Sequence, residues 1–260
     1  ETTVRKAESL PDLRRGGASS VVWPLDLRPL PECGTGGGCR PEAQDCKRRR
    51  RANLEEGRLV TNRHITEPWT MDPRGTSDMA KAGLLPKLVK LLASFPSRPE
   101  PYEVSLVRLS DEGDVAQGQL SPVSKGIMSI PIHKPPPQVA SGEAVVILGY
   151  PAGVEGVLAR LEDKTAVEFL KGADHHLRKL VHDIAGQGGI RPLVTQGHIS
   201  DVVPNRIVYD AQTTAGGSGS PVFNRHGELI AVHAAIKTRF GAVGFGVPIT
   251  RALELLSPNG

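Results

Sequence analysis

The chain has 260 residues, enough for one large domain or two small ones, each with its own core. Its 32 basic and 28 acidic residues leave a net charge of +4, too small an excess to indicate a nucleic-acid-binding protein by itself. No apolar run approaches the ~20 residues that a membrane-spanning helix requires. The 29 glycines and 22 prolines predict many turns between short strands.

The N-terminal segment, residues 1–18, is charged and indicates a tether that leads into the domain. The chain begins at Glu1 rather than Met, so we expect a processed or trimmed piece, and the lack of a leader is then no sign of a cytoplasmic protein. A periplasmic or secreted location is expected. After the tether, Ser20–Leu27 alternates sufficiently to predict a first strand.

Three cysteines, Cys33, Cys39 and Cys46, lie in one segment. Their spacings match no common zinc pattern, although one pair could form a local disulfide in an oxidising compartment. We therefore expect no metal site there. The same region, residues 40–56, contains five adjacent cations at Lys47–Arg51. Because like charges repel, a solvated loop is favoured over a nucleic-acid or anionic-membrane patch, and no nucleic-acid partner is expected.

Two segments supply a histidine and a carboxylate next to predicted strands. Arg58–His64 predicts a short strand that delivers His64 at its end. Tyr102–Leu109 alternates as a strand, and Asp114 lies where an apolar strand starts again, with Asp111 as a second candidate. The following Gln117-Gly118-Gln119 is unusual for a strand, because amides buried there need hydrogen-bond partners.

Apolar residues recur at close to helical spacing over Asp78–Phe95. Ser77 is available as an N-terminal cap, and Pro86 requires a short or kinked first turn. The spacing predicts a helix here, lying outside the strands of the core.

The stretch Tyr209–Phe223, Y-D-A-Q-T-T-A-G-G-S-G-S-P-V-F, places small residues between two apolar strands. In such a loop consecutive backbone N–H groups can point into one space and hold a developing oxyanion; Gly216 and Ser218 would be the donors. Ser218 is then a candidate nucleophile that needs a base. Of the eight histidines, His64 has the best local setting, and Asp114 can fix its tautomer.

The motifs T-N-R-H, D-V-A and G-G-S-G-S-P-V resemble the three signatures of the chymotrypsin-like (trypsin-like) serine endopeptidases, especially their bacterial branches. The separations agree, since Asp114 lies 50 positions after His64 and Ser218 lies 104 positions after Asp114. The resemblance covers roughly residues 20–256. It implies an all-β fold of two six-stranded antiparallel β-barrels, no cofactor or metal, and protein or peptide substrates as partners, with the oligomeric state left open.

On this resemblance we expect a first barrel in residues 19–120, a proline-rich linker in 121–142 and a second barrel in 143–260. Val154–Gly186 is mostly helical in pattern and predicts a helical insertion, and Ile249–Leu256 predicts a terminal helix. The insertion holds His175, His176 and His182. A solvent-facing histidine pair is favoured there over a metal site.

The resemblance implies a serine endopeptidase in which His64 takes the proton of Ser218, Ser218 attacks a peptide carbonyl, and Asp114 stays ionised. The alternative is a catalytically silent protease-like domain that binds peptides or a partner protein through the same cleft. The long insertions and the Gln-Gly-Gln strand favour the alternative, whereas the complete set of three triad residues favours the enzyme.

The residues around Ser218 look most like those of the glutamyl-endopeptidase branch. In that branch a threonine and a histidine, here Thr213 and His233, line the primary specificity pocket, and Gln212 could reach into it. The hydroxyl of Thr213 and the imidazole of His233 can each donate a hydrogen bond to a carboxylate, and a protonated imidazole would add a positive charge. A small apolar preference, like that of the high-temperature-requirement proteases, is an equal alternative.

Overall fold

The computed structural model describes residues 19–20, 23–26 and 57–256, apart from residues 89, 97, 122–126, 128, 151, 174–176, 214–215 and 238–242. Several predictions therefore concern residues outside the described part. They are the tether 1–18, the cysteines Cys33, Cys39 and Cys46, the cations Lys47–Arg51, and the histidines His175 and His176.

The first half of the described chain forms one seven-stranded sheet in the order β1-β4-β5-β6-β3-β2-β7. Its strands are β1 (Ser19–Ser20), β2 (Trp23–Asp26), β3 (Arg58–Thr61), β4 (Leu92–Phe95), β5 (Arg98–Leu109), β6 (Ala116–Ser121) and β7 (Ile130–Pro131). The central pairings are antiparallel, whereas β1 with β4 and β2 with β7 pair in parallel over two residues each. This half thus differs from a regular six-stranded antiparallel barrel.

The Gln-Gly-Gln stretch is a regular part of β6, and its glycine explains why. A Cβ atom at Gly118 would come within 2.5 Å of Val104 Cγ1 and 3.1 Å of Leu59 Cδ1. Both of these side chains are buried in the core of the first sheet. A residue without a side chain lets β6 approach the core this closely, so the weak strand propensity of glycine is outweighed by packing.

The helix predicted over Asp78–Phe95 is wrong. A helix lies earlier, at Pro73–Lys81, and Asp72 rather than Ser77 caps it by accepting the backbone N–H of Gly75. The chain leaves the helix through Gly83, whose φ is +75°. Leu84 and Leu85 are 60% and 87% exposed, so their spacing does not mark a buried helix face.

The last four residues of the predicted helix form strand β4 (Leu92–Phe95) instead. Leu91, Ala93 and Phe95 are buried, and β4 pairs with β5. A four-residue strand is too short to show alternation clearly, which is why the apolar residues suggested helical spacing.

The second half forms a closed six-stranded barrel in the order β10-β13-β12-β11-β8-β9, and every pairing is antiparallel. Its strands are β8 (Ala144–Gly149), β9 (Leu193–Val203), β10 (Arg206–Tyr209), β11 (Pro221–Asn224), β12 (Leu229–Lys237) and β13 (Val243–Pro248). The predicted all-β, chymotrypsin-like fold class is confirmed.

Helices fill the long connection between β8 and β9. They are α3 (Gly153–Leu158), α4 (Asp163–Ala173) and α5 (Leu177–Gly186), numbered after the short α1 (Arg63–Thr66) and α2 (Pro73–Lys81). Helix α5 packs against β4 and β5 of the first sheet, so this insertion bridges both halves of the molecule. The helical insertion predicted here is confirmed.

The C-terminal helix α6 (Ile249–Leu256) is also confirmed, and it joins the two halves from the other side. Its Ile249, Ala252 and Leu256 share one buried cluster with residues of both sheets, including Val60 and Val232. Arg108 of β5 donates a hydrogen bond to the carbonyl oxygen of Leu255 at 3.0 Å. The two sheets are therefore fixed to each other, which fixes the cleft between them. Among the described residues, no helix is both long and apolar enough to cross a membrane.

Candidate active site

His64 lies at the start of helix α1, directly after strand β3. Its ring Nδ1 lies 2.7 Å from Oδ2 of Asp114, and its backbone N–H donates to Oδ1 of the same carboxylate at 2.9 Å. One carboxylate thus holds both the ring and the main chain of the histidine. This arrangement directs the ring proton to Nδ1 and leaves Nε2 as the basic nitrogen.

The environment of Asp114 keeps its side chain ionised. Burial favours the neutral acid, but hydrogen bonds from the ring and the backbone of His64 outweigh that effect, so the pKa of Asp114 lies below its usual 3.8. The second candidate, Asp111, is 99% exposed and lies 3.6 Å from a guanidinium nitrogen of Arg63. Of the two carboxylates considered from the sequence, Asp114 is the one bonded to His64.

Ser218 lies in a loop that two glycines shape and three hydrogen bonds fix. Gly216 and Gly219 have φ values of +91° and +85°, which favour glycine. The N–H of Gly219 donates to Asn62 Oδ1 at 2.7 Å and to the carbonyl oxygen of His233 at 2.9 Å, and the N–H of Ser220 donates to Gly217. The loop is thereby anchored to the first sheet and to β12.

The Ser218 hydroxyl donates to the carbonyl oxygen of Ala234 at 3.3 Å. Within the described part of the chain, Ser218 and His64 share no hydrogen bond, but both line one cavity. Hydrogen bonds of this kind are often long or misaligned before substrate binds. The backbone N–H groups of Gly216 and Ser218 have no acceptor among the described residues, so both can serve an incoming oxygen.

Space at Gly216 is limited. A Cβ atom there would lie 2.9 Å from the backbone nitrogen of Gly153 and 3.1 Å from that of Ala152. The loop of Ser218 therefore packs directly against the start of helix α3. Only glycine satisfies both the positive φ and this close approach.

His233 is 1% exposed and bonds to Tyr209: its Nδ1 lies 2.6 Å from the tyrosine hydroxyl. Burial, assisted by the charge of His64, lowers the pKa of His233 to about 4. The ring is thus neutral near pH 7, in contrast to the protonated imidazole considered from the sequence. Gln212 is exposed and Thr213 half-buried, and within the described residues neither bonds to His233.

The family model of the trypsin-like peptidase domain matches residues 52–232. The chain belongs to the trypsin-like peptidase family. The resemblance inferred from the three motifs is therefore confirmed.

Two curated relatives of this trypsin-like peptidase are glutamyl endopeptidases of Staphylococcus aureus. That of strain MRSA252 is 26% identical over 180 residues, covering 67% of this chain and 39% of the relative. That of strain MW2 is 24% identical over 180 residues, covering 67% of this chain and 42% of the relative. The chain spans about two fifths of the length of these relatives. A solved serine endoprotease from Yersinia pestis matches with a TM-score of 0.49 and 18% identity, covering 78% of this chain and 53% of that chain.

Two residues near His64 and Ser218 were not predicted from the sequence. Asn62 is fully buried and bonds to both Asp114 and Gly219, although its place within the T-N-R-H motif was a signal. Tyr209 lies at the end of a predicted strand, and the sequence indicates no contact for its side chain. Its contact with His233 could not be foreseen because the two residues lie 24 positions apart.

A cavity of about 300 Å³ opens beside His64 and Ser218. The site contributes His64, Ile65, Gly216, Ser218 and Ser220, β4 contributes Ser94, and the insertion with its flanks contributes Tyr150, Gly153, Val154, Val157, Val181, Ile184 and Ile190. The predicted pocket residues Gln212, Thr213 and His233 are not among these. The cavity is therefore separate from the specificity pocket that the sequence predicts.

Metal ligands are not assembled in the described residues: no group of three or more His, Cys, Asp or Glu side chains is placed to hold an ion there. His182 of α5 instead lies 3.3 Å from Glu100 of β5 and 3.1 Å from Asp183. The pair with Glu100 links the insertion to the first sheet.

Proposed function

We propose that this protein is a serine endopeptidase that cuts peptide bonds through an acyl-enzyme intermediate. The observation that carries the proposal is the bonding of His64 to Asp114 on the cavity that Ser218 also lines. Membership of the trypsin-like peptidase family supports it. Protein or peptide substrates follow as partners.

In the proposed reaction, Ser218 Oγ attacks the peptide carbonyl carbon while His64 Nε2 accepts the hydroxyl proton. Asp114 stabilises the imidazolium through the 2.7 Å bond to Nδ1. The carbonyl oxygen becomes an oxyanion, to which the N–H groups of Gly216 and Ser218 donate. His64 then gives its proton to the leaving amine, and water releases the acyl group by the same steps in reverse order.

One rearrangement is needed first. In the free protein the Ser218 hydroxyl donates to Ala234, so it must rotate about its Cα–Cβ bond to reach His64. Such a rotation connects ordinary staggered rotamers. Substrate that displaces water from the cavity would favour the bond to His64.

The proposal is tested by incubating the protein with a denatured protein substrate and identifying new N-termini. Hydrolysis is expected for the unaltered protein and for Ser200→Ala, an exposed serine on β9, and not for Ser218→Ala. If no substrate is cut but peptides bind at the cleft, the catalytically silent binding domain is the better description.

We further propose that the primary pocket prefers an acidic residue before the cleaved bond. If the Tyr209 hydroxyl donates to His233 Nδ1, the ring proton lies on Nε2, where it can donate to a carboxylate. The relatives named glutamyl endopeptidases support this preference. Peptides that differ only in that residue, Glu against Val, Ala and Lys, decide between the acidic and the small apolar preference.

The periplasmic or secreted location stays a prediction.

A further inference from the structure

The cavity beside Ser218 is apolar on the side that the helical insertion builds. Val154 and Val157 of α3, Val181 and Ile184 of α5, and Ile190 supply that wall. Most of these side chains belong to one buried cluster with Phe169 and Leu180, so the wall is firmly supported. A volume of about 300 Å³ lies at the lower end of the range of small-ligand pockets, ~300–1,000 Å³.

The first sheet also contributes to the wall of the cavity. Ser94 of β4 lies on its wall, and α5 packs against β4 and β5. The cavity is thus framed by elements of both halves and does not depend on a single loop. A pocket of this kind is largely pre-formed and can discriminate between side chains by size.

The position of the catalytic groups tells which part of a peptide would enter this cavity. The imidazole that protonates the leaving amine must lie next to the segment that leaves. His64 and its neighbour Ile65 both line the cavity, whereas Gln212, Thr213 and His233 do not. The cavity therefore adjoins the imidazole that protonates the leaving amine, and none of the predicted acid-binding residues lies on its wall.

We propose that this cavity binds a large apolar side chain, of the leucine or phenylalanine type, from the segment that follows the cleaved bond. The inference rests on the proposed function, because it assigns the leaving segment from the proposed role of His64. A peptidase with this cavity reads its substrate on both sides of the bond. The insertion between β8 and β9 is the element that adds the second pocket.

The test compares peptides with one fixed sequence up to the cleaved bond and Leu, Phe, Ala, Gly or Asp after it. The same acyl segment as a methyl ester serves as reference, since methanol is too small to use the pocket. We expect kcat/KM for Leu or Phe to exceed that for Gly by about 10- to 200-fold. Methyl-ester hydrolysis reports the proposed chemistry independently of this preference.

Two variants connect the preference to the cavity. Val154→Phe fills it from the half-buried first turn of α3, and we expect the preference for Leu over Gly to fall about tenfold or more, each rate being divided by the methyl-ester rate of the same variant. Val167→Phe on α4 is the matched control, because Val167 is 46% exposed and does not line the cavity. Val157→Ala enlarges the cavity and should move the preferred residue from Leu toward Phe.

The outcomes separate the two proposals. If the unaltered protein does not hydrolyse the methyl ester, the proposed function fails and the inference fails with it. If the ester is hydrolysed but Gly and Leu peptides are cut equally well, the inference alone is overturned. The same holds if the preference exists but neither Val154→Phe nor Val157→Ala changes it. If Val154→Phe also loses ester hydrolysis, Val157→Ala is the deciding variant: a preference moved from Leu toward Phe supports the inference, and an unchanged preference overturns it.

Discussion

The side-chain oxygen of Asn62 accepts a hydrogen bond from the backbone N–H of Gly219 at 2.7 Å. The amide nitrogen of the same side chain donates to the carbonyl oxygen of Asp114 at 2.9 Å. Asn62 is fully buried, so no solvent can replace these bonds. One amide therefore ties the segment of Asp114 to the loop of Ser218.

Replacing Asn62 by Ala should leave the carbonyl oxygen of Asp114 without its donor and the N–H of Gly219 with only its bond to His233. We expect the free energy of unfolding to fall by about 1–3 kcal/mol, and turnover to fall as the loop shifts. Urea unfolding and peptide hydrolysis measure the two effects. Asn205→Ala, an exposed asparagine bonded to Arg251, is the control and should cost less than about 1 kcal/mol. Equal losses in both variants would contradict the bridging role.

The proposed role of Asp114 predicts a specific loss in Asp114→Asn. An amide that donates to Nδ1 favours the wrong tautomer of His64, so we expect kcat to fall by about 10⁴-fold with the fold intact. Asp111→Asn, which alters only an exposed ion pair with Arg63, should leave kcat nearly unchanged. A small loss of kcat in Asp114→Asn together with a large loss in Asp111→Asn would instead assign the orientation of His64 to Asp111.

Gly216→Ala tests the oxyanion loop. The methyl group would approach backbone atoms of Ala152 and Gly153 at a residue whose φ is +91°, so the loop must shift. We expect kcat to fall by about 10²–10³-fold, as when one oxyanion donor is removed. Gly227→Ala carries a similar backbone penalty, with φ +76°, but meets nothing within 4 Å. Gly227→Ala should lose stability and keep kcat, so equal kcat losses would contradict the prediction.

The buried ring of His233 predicts a pH-dependent stability. The pKa of His233 is lowered from 6.5 to about 4. At a pH between these two values the ring is protonated in the unfolded chain and neutral in the folded chain. Stability is therefore full above pH 6.5 and declines as the pH falls to about 4, by about 3 kcal/mol from this group. Urea unfolding across this range should show the decline in His226→Gln, which keeps the buried ring, and a smaller one in His233→Gln. Equal slopes would refute it.

The sequence predicted those features that short motifs carry. His64, Asp114 and Ser218 each lie in a compact pattern, and the glycines at 216 and 219 mark the loop directly. The strand at Leu92–Phe95 was not predicted, because four residues are too few to show an alternating pattern. The exposed Leu84 and Leu85 also lie at helical spacing, although they are not part of a helix.

The cavity and the Tyr209–His233 contact could not be predicted for another reason. Each depends on residues from distant segments, and the cavity combines β4, the helical insertion and the nucleophile loop. Apolar residues of α3 and α5 look like ordinary core positions in the sequence. The cavity beside Ser218 forms where α5 packs against β4 and β5.

The most direct test of the account is covalent labelling with a fluorophosphonate, followed by mass-spectrometric mapping of the adduct. An unassisted serine hydroxyl is a poor nucleophile near neutral pH, so labelling reports activation by a base. We predict one adduct, on Ser218, that is lost in Ser218→Ala and in His64→Ala and retained in His226→Ala. Labelling of Ser218 at an unchanged rate in His64→Ala, or no labelling of the unaltered protein, would contradict the proposed triad.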